Sequence, residues 1–304
     1  MIKQRTLKQS VQTAGIGIHS GEMIQLNLQS APENTGIVFR RIDQTPVVAI
    51  PALTTHIGDT RLNSCLSHNG VSIATVEHLL SAFAGLGIDN AYIDLAAGEV
   101  PVMDGSAEHF ANLIQTAGVV EQFEAKKFLR IKKPIIVEME DKWAKLEPHE
   151  GFRFSVSIDY VHPLIRRSTQ DLTLEFTQAS FIQEISRART FGFLADYENL
   201  KKHRLALGAS LENTVVLGDE KVLNQEGLRY PDEFVRHKML DAIGDLYLLG
   251  HSVIGAFSSY KPGHHLNHQL RCALLADRDA WEIVTLDKMA NLPVSFVEPG
   301  LAAA

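Results

Sequence analysis

Two short segments, about 160 residues apart, carry side chains that could hold a divalent cation and activate water. One reads Thr75-Val76-Glu77-His78 and the other reads HKMLDAIGD, from His237 to Asp245. A hydrolytic metal ion needs about three protein ligands, an open position and a nearby base. Two imidazoles and the carboxylates of Glu77, Asp241 and Asp245 can supply that set. On a helix His237 and Asp241 share a face. With His237 at zero, Asp241 falls near about 40° and Asp245 near about 80° at ~100° per residue. That is a narrow polar stripe among Met239, Leu240, Ile243, Leu246 and Tyr247. Such a helix is expected to be sandwiched, and buried carboxylates and imidazoles need partners, which a metal would provide. His-x3-Asp alone also describes an ordinary hydrogen-bonded pair. Glu77-His78, at the start of its helix, can equally be a capping carboxylate beside a core histidine. If the segment is functional, one of the two ligates while the other reaches the metal's water, because helical neighbours diverge by about 100°. The helix dipole favours Glu77 as carboxylate and His78 as neutral imidazole, the form that binds metal.

The elements that must position these residues can be read from patterning. Alternation predicts strands at 22–29 and 36–42, with a turn cluster (PENTG) between them. Thr75 is expected to cap a helix over 76–84, stopped by Gly85 and Gly87. A strand follows at 90–95, and Ser106 is expected to cap a helix over 107–117. Further strands are expected at 128–139, 143–147 and 152–160. Asp232 is expected to cap a helix over 233–249 that stops at Gly250. A strand at 252–260 and a helix from about 264 to 277 complete the series. The order strands, helix, strand, helix occurs twice, a weak internal duplication with its boundary near 121–127. The expected fold is therefore α+β, with two layered units.

The chain has 304 residues, 45% of them hydrophobic, which favours two domains over one core. Its formal net charge is −7, without the basic stripe of a nucleic-acid binder. Cys65 and Cys272 form no disulfide framework, and there is no CxxC. The N-terminus lacks a signal-like apolar core, and no apolar run approaches the ~20 residues that span a bilayer. A cytoplasmic protein without stable membrane insertion is expected. Two further segments complete the inventory. GHHLNH, from Gly263 to His268, offers a proton donor or a structural turn with exposed histidines. GIGIHSG, from Gly15 to Gly21, is one residue too long for a dinucleotide fingerprint and reads as a strand-end turn.

Taken together, the motifs resemble one family, the zinc-dependent UDP-3-O-acyl-N-acetylglucosamine deacetylases of lipid A synthesis in Gram-negative bacteria. The marks are GIGIHS at Gly15, TVEHL at Thr75, AGLGIDN at Ala84, MDGSA at Met103, SRARTFGF at Ser186, EFVRHKMLDAIGD at Glu233 and Gly263-His264. They span nearly the whole chain. The resemblance implies two similar α+β domains, each a β-sheet layered on helices, with the active site in the cleft between them. The expected division is 1–124 and 125–304, with inserts at about 43–70 and 161–220. It implies Zn²⁺, one per chain, on His78, His237 and Asp241, with Fe²⁺ able to replace it in cells. Glu77 is then the general base and His264 the positively charged partner. Departures from the family pattern are the extra His265 and the Glu108-His109 pair after MDGSA.

The expected substrate is a UDP-linked glucosamine bearing a 3-O-acyl chain and a 2-acetamido group. Thr190 is expected to help hold the oxyanion, and Asp245 to orient His264. Lys238, placed by the helical wheel close to Asp245, would meet phosphate or hydroxyl, or balance the acid. Asp104 reads either as an acceptor for a ligand histidine or as a turn residue. Phe191 with FGFLA, Ala206 and Ser210 within LALGAS, and VVL at Val215 would line an acyl passage. Lys142 and Tyr160 are expected at the nucleotide end. A monomer is expected. Two rivals are an iron oxygenase using the same two-His-one-carboxylate set and a non-enzymatic binding module.

Overall fold

A computed structural model of the chain describes residues 1–287. The last stretch of the second expected unit, 288–304, lies outside the described residues. The chain opens with β1 (Lys3–Leu7), β2 (Val11–Ile16), β3 (Met23–Ser30), β4 (Ile37–Arg41) and β5 (Val48–Pro51). A small hairpin, β6 (Leu66–His68) and β7 (Val71–Ile73), precedes α1 (Glu77–Leu86), β8 (Ala91–Leu95), α2 (Glu108–Ala117) and β9 (Val119–Ala125). The second run starts with β10 (Phe128–Ile131), β11 (Ile135–Met139), β12 (Lys142–Glu147), β13 (Phe152–Ser157), the short α3 (Pro163–Arg166) and β14 (Asp171–Glu175). Then come α4 (Gln178–Ser180) with a wide turn after it, β15 (Phe191–Phe193), α5 (Leu194–Lys202) and β16 (Val215–Leu217). The run ends with α6 (Glu233–Tyr247), β17 (Ser252–Tyr260), α7 (His264–Ala276) and β18 (Trp281–Val284). The α+β class is as expected.

The same topology occurs twice. The first sheet runs β2-β3-β8-β4-β5 and the second contains β11-β12-β17-β13-β14. In both, the outer pairs are hairpins, and the middle strand is antiparallel to one neighbour and parallel to the other. The flanking strands repeat too: β1 pairs with β9, and β10 with β18, each antiparallel. Segments outside this shared order run from 52 to 76 and from 176 to 232, starting later than the expected inserts because β5 and β14 belong to the repeated pattern.

Helices α1 and α6 pack directly on one another. Every residue of α1 is buried, and all of α6 except Arg236 and Lys238. That is why neither shows the broad polar face of a surface helix. The close approach depends on Gly244: a Cβ there would lie 2.0 Å from the Glu77 carbonyl oxygen.

Several element ends differ from the sequence expectation. Thr75 does not cap α1. Its φ is +59°, and its hydroxyl donates to Glu99 Oε1 at 3.2 Å. The helix continues through Gly85 and ends at Gly87, whose φ of 69° gives the left-handed turn. Asp232 makes no cap bond, because its carboxylate accepts from Arg236 Nε at 2.6 Å. The single strand expected over 128–139 is two strands in different pairings, separated around Pro134, which has no N–H to continue a ladder.

Candidate metal centre and active site

The first turn of α1 and the middle of α6 bring His78, His237 and Asp241 together. Their ligand atoms all lie within 4.8 Å of one another, and all three residues are buried. His237 Nε2 is 3.2 Å from Asp241 Oδ1, and His78 Nε2 is 3.6 Å from the same oxygen. The imidazole planes are nearly perpendicular, with centroids 4.9 Å apart. Two donors at tetrahedral angles, each about 2.0–2.1 Å from one zinc ion, are themselves about 3.3 Å apart. The observed separations fit such an ion.

The surroundings favour the same reading. His237 Nδ1 lies 3.0 Å from the Ala188 carbonyl, so this nitrogen carries the proton and Nε2 keeps its lone pair for a metal. Burial pushes the His78 imidazole below its ordinary pKa and keeps it neutral. Burial works against ionisation of Asp241, but His237 and Lys238 outweigh it and hold the carboxyl well below its usual range. Lys238 Nζ bonds Asp241 Oδ2 at 2.6 Å. It therefore balances the ligand carboxylate, not Asp245 as the helical wheel had placed it. On a helix its amine reaches the i+3 carboxylate, and α7 occupies the other side of Asp245.

Glu77 faces a different partner. Its Oε2 accepts the Ser64 amide at 3.1 Å, and its Oε1 lies 3.7 Å from His264 Nε2. Burial raises the Glu77 carboxyl to about 7, against the opposing pull of His264. His264 is the first residue of α7, and its Nδ1 lies 2.9 Å from Asp245 Oδ2. Burial disfavours its charge, yet Asp245 and then Glu77 more than compensate, raising the imidazolium to about 9. Asp245 also accepts from Ser64 Oγ at 2.5 Å and from Asn267 Nδ2 at 2.8 Å, and Arg271 donates to its main-chain carbonyl. His265 is placed differently: it is exposed and lies 3.1 Å from Thr60 Oγ1. The ambiguity among the three histidines is resolved geometrically in favour of His264 facing Glu77.

A cavity of about 440 Å³ adjoins this centre. Thr190, Phe191, Ala206 and Ser210 line it, as do Val216 from VVL and His19. The Phe191 ring stands 6.5 Å from His237 and 5.6 Å from Tyr160, and Lys238 Nζ lies 5.8 Å from it. Thr190, Phe191, Ala206 and Ser210 thus share one cavity, and Tyr160, Lys238 and His237 gather around its Phe191. Lys142 is exposed at the turn of the β11–β12 hairpin, next to the Asp141 that pairs with Lys261. Asp104 touches no ligand histidine. It pairs with Arg229 at 2.8 Å and accepts from Ser106, so the turn reading was the right one.

Patterning missed His19. GIGIHSG does end a strand, but its turn carries His19 to the cavity, where burial lowers its pKa against the opposing pull of Glu99, with His264 adding to the lowering. A lone histidine in a glycine-rich turn gives no periodic signal; its place within the GIGIHS mark of the resemblance was the one signal that could have found it.

Comparisons with known proteins agree with this geometry. The family described as LpxC: UDP-3-O-acyl N-acetylglycosamine deacetylase matches residues 4–276. A UDP-3-O-acyl-N-acetylglucosamine deacetylase from Nitrosococcus oceani is 57% identical over 304 residues, covering all of both chains. The proteins of that name from Coxiella burnetii and Methylococcus capsulatus are 56% and 55% identical, covering 100% and 98% of each chain. With the motifs in order along the chain and the ligand set assembled between α1 and α6, this chain belongs to the LpxC family of UDP-3-O-acyl-N-acetylglucosamine deacetylases.

Proposed function

We propose that the protein is a zinc-dependent amidohydrolase that removes the 2-acetamido acetyl group of a UDP-3-O-acyl-N-acetylglucosamine, releasing acetate and the free amine for lipid A biosynthesis. The observation that carries this reading is Glu77 and His264, 3.7 Å apart, beside the His78, His237 and Asp241 set. These three residues would hold the ion, with zinc as the expected metal and Fe²⁺ as a fitting substitute. When bound, such an ion supplies Lewis acidity, polarising the acetamide carbonyl and bringing the pKa of a water toward about 7.

The chain's own residues do the rest. Glu77 takes the attacking water's proton at its Oε1, and its backbone-bonded Oε2 fixes the carboxylate's orientation. His264, held as imidazolium by Asp245, faces the same locus and supplies positive charge and a proton for the departing amine. The Thr190 hydroxyl is a donor for the oxyanion. The cavity takes the 3-O-acyl chain along Phe191, Ala206 and Ser210. Lys238, Tyr160 and Lys142 are assigned to the sugar nucleotide.

The division at 124/125 into two units is proposed on the repeated strand order. Because one chain supplies the whole ligand set and the cavity, a monomer suffices. Among the described residues no helix is long and apolar enough to cross a membrane; a cytoplasmic location is proposed from the nucleotide-linked substrate. An iron oxygenase would leave the Glu77–His264 pair without a task. The test is acetate release from UDP-3-O-acyl-N-acetylglucosamine. Stoichiometric acetate and amine support the reading, and no release by the metal-loaded protein overturns it.

A further inference from the structure

The buried carboxylate of Glu99 has no part in the scheme above. It is 3% exposed. Among the described residues no lysine or arginine pairs with it. Four donors surround it: the His19 amide at 2.9 Å, the Ser20 amide at 2.9 Å, the Ser20 hydroxyl at 2.7 Å and the Thr75 hydroxyl at 3.2 Å. These four bonds converge on one buried carboxyl group and tie together segments far apart in sequence.

Each end of the tie leads to the site. Thr75 has a φ of +59°, strained for a β-branched residue, and it stands directly before Val76, Glu77 and His78. The Thr75 amide also donates to Asn63 Oδ1 at 3.2 Å. At the other end, the Gly17–Ser20 turn holds the cavity wall. Leu207 N donates to His19 O at 3.2 Å, Gly208 N to Ile18 O at 3.0 Å, and Ala206 N reaches His19 Nδ1 at 3.4 Å. The fit is tight at two glycines. A Cβ on Gly17 would lie 2.2 Å from Glu99 Oε2, and one on Gly208 would lie 2.2 Å from the Gly17 carbonyl oxygen. Neither turn can shift without its neighbour.

We infer that Glu99 is a positioning residue that couples the wall of the acyl cavity to the strained turn carrying Glu77 and His78, so that an acyl chain filling the cavity orders the catalytic groups. It rests on the acyl-cavity reading above. Contacts remote from the reacting bond can act on turnover in this way, since truncated substrates lose kcat as well as affinity.

The experiment compares kcat and KM for the long-acyl sugar nucleotide and for the same compound with a 3-O-acetyl group. Wild type, Glu99→Gln and Gly208→Ala are used, each zinc-loaded and with metal content measured. Glu99→Gln keeps the shape but replaces one acceptor oxygen with an NH2 group, so that a donor faces donors; Gly208→Ala displaces the cavity wall against the Gly17 carbonyl, and serves alone if Glu99→Gln does not fold. The wild-type kcat is expected to be higher with the long chain. In the variants this advantage should fall by about tenfold, with acetyl-substrate kcat within about twofold of wild type and metal content unchanged. Equal losses on both substrates, a change confined to KM, or a wild-type kcat indifferent to chain length would overturn the inference. Wild-type protein that deacetylates neither compound would instead overturn the functional reading beneath it.

Discussion

Gly244 of α6 sits against the main-chain carbonyl of Glu77 on α1, so closely that a Cβ would lie 2.0 Å from that oxygen. This contact sets the distance between the helix bearing His78 and the helix bearing His237 and Asp241. Gly244→Ala must push the helices apart. Overpacking of a well-filled site costs typically about 1–3 kcal/mol, so a lowered melting temperature is expected together with weakened zinc retention. Melting curves and metal content of the same preparation check it; a variant with wild-type zinc affinity would mean that the spacing is not set here.

Glu77 is assigned to proton transfer and not to the metal. Glu77→Gln should keep zinc and lose about 10²–10⁴-fold in kcat, the range for a positioned general base. Metal analysis beside steady-state kinetics tests this. Parallel loss of zinc would make Glu77 a ligand.

His264 is held protonated up to about 9 by Asp245 and Glu77. Its folded pKa lies above its ordinary value, so the active imidazolium persists below that pH and is lost as pH rises through it. The kcat/KM profile should therefore fall on its alkaline side near 9. Asp245→Asn removes the nearer carboxylate and should bring that fall down by about 1–3 units, with zinc content retained. An unchanged alkaline limb would separate His264 from the observed step.

The cavity beside Phe191 should set chain-length preference. Ala209 lines it, and Ala209→Phe would fill part of its volume. The long-acyl substrate should lose about tenfold or more in kcat/KM while a short-acyl analogue is spared, as each methylene excluded from an apolar site is worth about 0.8 kcal/mol. Equal losses on both would place the acyl chain elsewhere.

What the sequence disclosed, and what it hid, follows from range. The i, i+4 relation of His237 and Asp241 is local, and so is the polar stripe on α6 that ends at Asp245; both were readable from helical geometry. That Glu77-His78 meets them needs the α1–α6 contact, which the unusual apolarity of both helices suggests and which the motif resemblance supplied. The caps at Thr75 and Asp232 were misread because Glu99, distant in sequence, took the Thr75 hydroxyl and Arg236, one turn along α6, took the Asp232 carboxylate. Lys238 was given the wrong carboxylate because a wheel ignores side-chain reach and the helix packed opposite. His19 and Glu99 lie in irregular turns whose meaning exists only once residues 17–20, 75, 99 and 206–208 converge.

The central claim is that one divalent ion on His78, His237 and Asp241 is indispensable to deacetylation. The direct measurement is acetate release by protein stripped with a chelator and then titrated with Zn²⁺, for wild type and His237→Ala. Stripped wild type should be inactive and regain full turnover at one equivalent of zinc, while His237→Ala should bind the ion weakly and stay inactive at that stoichiometry. Full turnover by metal-free wild type, or wild-type zinc affinity and turnover in His237→Ala, would contradict the account.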